Sequence, residues 1–304
     1  MNADRQTMQR VDAKGALPLG AGAAPRSQRQ IVWRRLRSNR LAMLGGVIVG
    51  TLILLAIFAP VLARYDPTEM RLSDQFLPPS LEHPFGTDDF GRDILTRILY
   101  GARISLRVGL VAVGIAAIVG SIIGMTAGYF GGWFDIISQR VIDVMLAFPD
   151  LLLALAIIAV LGPSLTNVMI AVGIGSVPTY ARLMRGQVLS LKRKEYVEAA
   201  RAIGAPTRRI LFVHILPNAL SPMIVLASLG IASSILSAAA LSFIGMGAQP
   251  PTPEWGAMLS NGREFLREEW WIATFPGLAI AITVLGFNIL GDGLRDALDP
   301  QSRD

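Results

Sequence analysis

Glu195–Pro217 reads EYVEAARAIGAPTRRILFVHILP, a basic segment set between two long apolar runs. Tyr196, Ala199, Ala200 and Ile203 recur at helical spacing and predict one helix face. Gly204 stops that helix, since glycine takes the left-handed conformation a helix C-terminus requires. Pro206 stands where a second helix can begin, because a first-turn residue loses nothing by lacking an N–H. Ile210, Leu211 and His214 carry that second helix as far as Pro217. The segment is a short helix–turn–helix at a membrane surface, a shape suited to docking.

The apolar runs around it set the fold class. The 304 residues are 52% hydrophobic and 16% charged, with a mean hydropathy of +0.50. A soluble domain carries nearer a quarter charged residues, and long charge-free runs of this kind mean membrane spans. No cysteine is present, which excludes a disulfide framework and a thiolate metal site.

Residues 1–40 form a basic tail with nine Lys/Arg against Asp4 and Asp12, and the first 30 have the composition of a disordered segment. Residues 41–63 are the first span. The basic region and apolar core are both too long for a cleaved signal peptide, so this span starts inside. Residues 64–103 make an outer loop in which seven Asp/Glu outnumber five Lys/Arg. Its run Gly86–Asp93, GTDDFGRD, places Asp88, Asp89 and Asp93 close together. Their spacing does not match a calcium loop, so turn chemistry and helix capping explain them and no metal is expected.

Residues 104–304 hold five further spans. The second is about 104–130, followed by a Gly131-Gly132-Trp133 turn. The third, about 141–161, contains Asp143, Pro149 and Asp150 and is expected to be broken or kinked. Asp150 is the acidic residue near mid-span, and it is either a pathway group or part of a solvated break. The fourth, about 165–181, is rich in polar residues and expected to be shielded in the bundle. Residues 182–217 are the basic inner loop. The fifth span, about 219–246, carries small residues that favour close helix approach. Residues 247–270 form a second outer loop, about 272–290 the sixth span, and 291–304 a polar tail. With both termini inside, inner segments carry 20 Lys/Arg and outer ones 7, with Arg107 within a span. This is the positive-inside bias, and no nucleic acid partner is needed to explain the net charge of +6.

There is no GxxxxGK[ST] loop, no HExxH and no GxSxG elbow, and the two histidines, His83 and His214, fall on opposite sides of the membrane. An acidic or histidine relay of the kind a proton-coupled carrier needs is also missing. A pathway without its own energy source points to power from elsewhere, entering through Glu195–Pro217. The alternative for that segment is attraction to anionic lipid through Lys192, Arg193, Lys194, Arg208 and Arg209.

Glu198-Ala199-Ala200, Gly204 and Leu216-Pro217 resemble the EAA signature, EAA-x3-G-x9-I-x-LP, of ABC importer permeases, with His214 in the isoleucine position. Arg35–Gly45, Gly86–Gly109, Leu241–Leu259 and Asn288–Pro300 are similar to the second permease of dipeptide/oligopeptide importers, a family that also serves glutathione and nickel chelates. The resemblance covers about residues 33–300. It implies an all-α membrane protein with six transmembrane helices, the type I ABC importer permease fold and cytoplasmic termini. It implies a homologous second permease, two ABC ATPase subunits, an extracytoplasmic solute-binding protein and a bacterial inner-membrane location. This chain would be no enzyme and would bind no cofactor, with ATP and Mg held by the ATPases. Glu198 would be the charged anchor toward the ATPase, next to Arg201. Ala199 and Ala200 would allow close approach, Gly204 would set the turn, and Leu216 and Pro217 would join the loop to the fifth span.

Overall fold

The computed structural model describes residues 28–298. Among them the secondary structure is helical, apart from one isolated bridge between Thr87 and Asp93. Ten helices position the site: α1 Gln28–Ser38, α2 Arg40–Leu62, α3 Ile94–Phe130, α4 Gly132–Leu146, α5 Asp150–Leu161, α6 Leu165–Leu191, α7 Glu195–Ala202, α8 Thr207–Phe243, α9 Trp255–Gly262 and α10 Trp271–Leu298. Four of these, α2, α3, α8 and α10, are long and apolar enough to cross a membrane, and five if α4 and α5 together count as one bent span.

Helix α2 lies within one residue of the 41–63 limits read for the first apolar run, and Asn39 caps it by accepting from the N–H groups of Leu41 (3.1 Å) and Ala42 (3.2 Å). Of the tail, residues 1–27 lie outside the described residues, and the helical α1 precedes that cap. The boundary expected at 103/104 falls inside a helix. Asp93 accepts from Thr96 N–H at 2.8 Å, so α3 starts at Ile94 and the outer loop ends ten residues early. At 37 residues α3 is about 55 Å long, far more than the roughly 30 Å of a hydrocarbon core.

Small residues set how closely the helices approach. Gly120, Gly124 and Gly128 form a stripe on α3 against α6. A Cβ on Gly120 would stand 2.6 Å from Tyr180 Cβ and 2.9 Å from Val177 O. Gly45 does the same for α2 against α10, where a Cβ would stand 2.6 Å from Leu290 N.

The stretch expected to form a third span is broken in the structure. It begins at Gly132, not near 141, and α4 and α5 meet at 97° across Ala147–Pro149. Helix α6 runs to Leu191, ten residues beyond its expected end, and buries Val177, Tyr180, Ala181, Met184 and Val188 on the side facing α3. The inner loop of 182–217 is therefore helical at both ends. Pro217 does not end a helix. A π-helical stretch, Ile210–Ile215, precedes it, and α8 passes through without a break. A widened turn is a common neighbour of a rung lost to proline. The second outer loop contains α9, and α10 continues through the expected tail to Leu298.

Candidate functional site

Helix α7 stands between the C-terminal end of α6 and the N-terminal end of α8 and has two unlike faces. Val197 (0% exposed) and Ala200 face inward, where Val197 shares one apolar cluster with Val188 of α6 and Ile210, Leu211 and Ile215 of α8. Glu195, Tyr196, Glu198, Ala199, Arg201, Ala202 and Ile203 are exposed, Ile203 to 86%. The single face expected for Tyr196, Ala199, Ala200 and Ile203 is thus divided, because the neighbouring helices select Val197 and Ala200. A short helix cannot hold itself together in water, so this inner face is what keeps α7 folded.

Gly204 has φ +79°, the left-handed value expected of it. Gly204 N–H donates to Arg201 O (3.0 Å) and Ala205 N–H to Ala200 O (3.0 Å), the paired bonds of a Schellman cap. No atom crowds a Cβ placed on Gly204, so its requirement is for backbone conformation alone. Glu198 makes no ion pair with Arg201 or any other described residue, so its carboxylate is open to a partner. Leu216 and Pro217 lie within α8, Leu216 half-buried and Pro217 exposed. The joint between α7 and the bundle is the apolar cluster around Val197. Sequence reading missed that residue because its spacing partners lie on other helices. Lys192 fastens the same end by donating from Nζ to Gly128 O at 2.7 Å, one of the last carbonyls of α3.

Asp150 is the first residue of α5, immediately after the 97° bend, and its side chain is exposed. Its backbone lies beside Gly175 of α6, which would hold a Cβ 3.8 Å from Asp150 O. Asp150 is remote in sequence from the residues around Glu198 and shares no cluster with them.

The outer motif is built differently. Asp88 Oδ2 accepts from Arg92 Nε at 2.7 Å, and Asp88 Oδ1 accepts from the N–H groups of Phe90 and Arg92. His83 Nδ1 lies 2.9 Å from Asp93 Oδ1, with the Tyr65 ring stacked on the imidazole. Arg97, 2% exposed, donates to Pro67 O at 2.7 Å and stands 3.7 Å from Asp88 Oδ2. Burial pushes the Asp89 carboxyl up, as does the neighbouring Asp88 charge. Glu254 is also raised by burial, while the Gly256 and Ala257 N–H groups it caps pull it back. Turn chemistry and capping account for the Asp88–Asp93 run, and among the described residues no group of three or more His, Asp or Glu is arranged to hold a metal.

This is a multi-pass helical membrane protein with one small helix held on the outside of the bundle. Residues 120–304 match the family described as binding-protein-dependent transport system inner membrane component, and residues 27–79 match the N-terminal TM domain of oligopeptide transport permease C. The chain is 53% identical over 271 residues to a dipeptide transport system permease protein DppC of Alkalihalophilus pseudofirmus, 89% of each chain. It is 50% identical over 287 residues to a glutathione transport system permease protein GsiD of Escherichia coli, 94% of this chain and 95% of that one. Its fold is similar to a chain of the inward-facing MetNI methionine ABC transporter, with a TM-score of 0.55 at 17% identity, covering 68% of this chain and 98% of that one. The chain belongs to the family of inner-membrane components of binding-protein-dependent transport systems. Its role is that of an ABC transporter permease subunit, a transport role and not a catalytic one.

Proposed function

We propose that this chain forms half of the translocation path of an ATP-driven importer of di- or oligopeptides, and that α7 is the surface through which cytoplasmic ATPase subunits move it. The observation that carries the reading is the division of α7. An apolar face is locked to α6 and α8, and the opposite face exposes Tyr196, Ala199 and Ile203 beside the unpaired Glu198. Lipid attraction alone has no use for a left-handed cap that fixes the angle of a two-faced helix. Peptide as cargo is supported by the dipeptide permease relatives, and glutathione by relatives of similar identity.

The topology has six spans: α2, α3, the bent pair α4–α5, α6, α8 and α10, with both termini cytoplasmic. The 20-to-7 distribution of Lys/Arg supports that orientation, and the bacterial inner membrane is the location. The remaining parts are a homologous second permease, two ABC ATPases carrying ATP and Mg, and an extracytoplasmic solute-binding protein. In this assembly Glu198 meets a basic group of the ATPase, and Ala199 and Ala200 permit close approach. Arg201 flanks the contact, Gly204 fixes the turn, and Leu216 and Pro217 pass motion into α8. Asp150 lines the path. ATP-driven closure moves α7, and the shared cluster moves α6 and α8 with it, a switch of the alternating-access type.

Glu198→Lys is expected to abolish uptake and detach or uncouple the ATPase while the permease remains in the membrane. Normal uptake with stably bound ATPase would sink the coupling assignment. Asp150→Ala is expected to alter uptake with ATPase binding intact. An unchanged rate and substrate preference would return Asp150 to a solvated break.

A further inference from the structure

Two ion pairs join α4 to α6, and they are not alike. Arg185 donates from Nε and Nη2 to both carboxylate oxygens of Asp135, at 2.6 and 2.7 Å, in a largely buried position. This bidentate pair fastens the helices. Three residues earlier on α6, Arg182 uses only Nη2, at 2.7 Å, on one oxygen of Asp143. The Arg182 and Asp143 side chains are 56% and 52% exposed. Among the described residues the other donors of the Arg182 fork have no protein partner. Thr179, one turn before Arg182 on the same face of α6, is exposed as well, and so is Asp150 beyond the bend.

Their depth makes this arrangement informative, given the topology proposed above. Gly175, beside Asp150, is ten residues into α6, about 15 Å from its outer start, and Arg182 is about 26 Å from it. The strip therefore runs from the middle of a roughly 30 Å hydrocarbon layer to its inner edge. Charged side chains at such depths face a water-filled cavity or the bundle interior, not lipid.

We propose that Asp150, Thr179, Asp143 and Arg182 line the inner half of the solute path, and that Arg182 receives the carboxylate of the passing solute. Asp143 is the resting partner that neutralises Arg182 between passages. A planar guanidinium with free donors matches a carboxylate such as a peptide C-terminus. Arg185 shares the helix, but Asp135 already occupies the Nε–Nη2 edge of its fork bidentately, and it has no such role.

The chain has no cysteine, so Thr179→Cys gives it a single thiol, and labelling in the full complex with its second permease, ATPases and binding protein is read on this chain after the subunits are separated. With a membrane-impermeant anionic thiosulfonate added from the cytoplasmic side, labelling is expected without solute and should slow severalfold during turnover of a saturating dipeptide. Arg182→Gln should raise the dipeptide KM about tenfold, the worth of one charge-assisted hydrogen bond, and Arg182→Lys should recover part of it. Labelling that ignores the dipeptide overturns the proposal, as does Arg182→Gln with an unchanged KM. A cysteine that never reacts in an ATP-hydrolysing complex places the strip in a subunit interface and also overturns it. ATPase association is read in the same preparation, so a failure of coupling through α7 is seen separately from a failure of solute protection.

Discussion

The outer motif and the inner helix are both short, charged connections, yet they carry their charges in opposite ways. In the outer motif Asp88, Arg92, Asp93 and Arg97 are all buried, and their partners lie within the loop, on α3 or, for Arg97, also at Pro251 O. On α7 Glu195, Glu198 and Arg201 are exposed, and Glu198 makes no ion pair among the described residues. Burying a charge is tolerated only with a partner in place, and Asp88 supplies it for both arginines, bonded to Arg92 and 3.7 Å from Arg97 Nε, which makes no hydrogen bond of its own. An exposed charge next to exposed Ile203 and Tyr196 carries no such obligation. The first region is held by groups of its own chain, and the second is the surface that the proposed function assigns to a partner subunit.

The strongest way to break this comparison is Asp88→Ala, which leaves Arg92 and Arg97 buried without their shared carboxylate. A loss of about 3–5 kcal/mol is expected, read as loss of the folded, detergent-soluble permease. A variant that melts normally would mean the outer network is not structural. Gly204→Val comes next, with about 1–3 kcal/mol of strain because a branched residue must adopt φ +79°. The strain stays local, so uptake should be lost while most permease remains folded. Equal damage to folding and uptake would erase the distinction between the two ends.

Val197→Ala sharpens the comparison further. It removes two buried methyl groups, about 1.6 kcal/mol at about 0.8 per group, and loosens α7 from α6 and α8. Uptake and ATPase stimulation should fall more than the melting temperature of the permease does. The smallest effect belongs to Arg71→Ala. Its exposed pair with Glu69 lies close to the buried network, and no change in melting or uptake should be measurable. A clear loss there would show that proximity, and not burial, decides which outer charges matter.

Much of the site was legible before any tertiary contact. Gly204 had to be left-handed because a helix stops there and a proline follows two residues later, and its φ agrees. The broken third span followed from Pro149 beside Asp150. Less legible was which face of α7 is inward. Tyr196, Ala199, Ala200 and Ile203 form a fair helical stripe, but Val197 takes the buried position, in one apolar cluster with Val188, Ile210, Leu211 and Ile215 of the flanking helices. The helix limits were missed for a related reason. Arg97, Arg182 and Arg185 read as loop residues, yet each bonds a carbonyl or carboxylate outside its own helix, and α3 and α6 continue past them.

The sequence by itself determined the helical membrane class, the placement of the apolar runs, the charge asymmetry between the two sides and the glycine-capped inner helix. These depend on local composition, hydropathy and backbone conformation, which neighbouring residues are enough to fix. Only the tertiary structure decided that Val197 is the joint of that helix, that Asp88 belongs with Arg92 and Arg97, and that Arg182 is held by one bond where Arg185 is held by two. Those depend on which side chains meet across helices, and no spacing along the chain records such meetings.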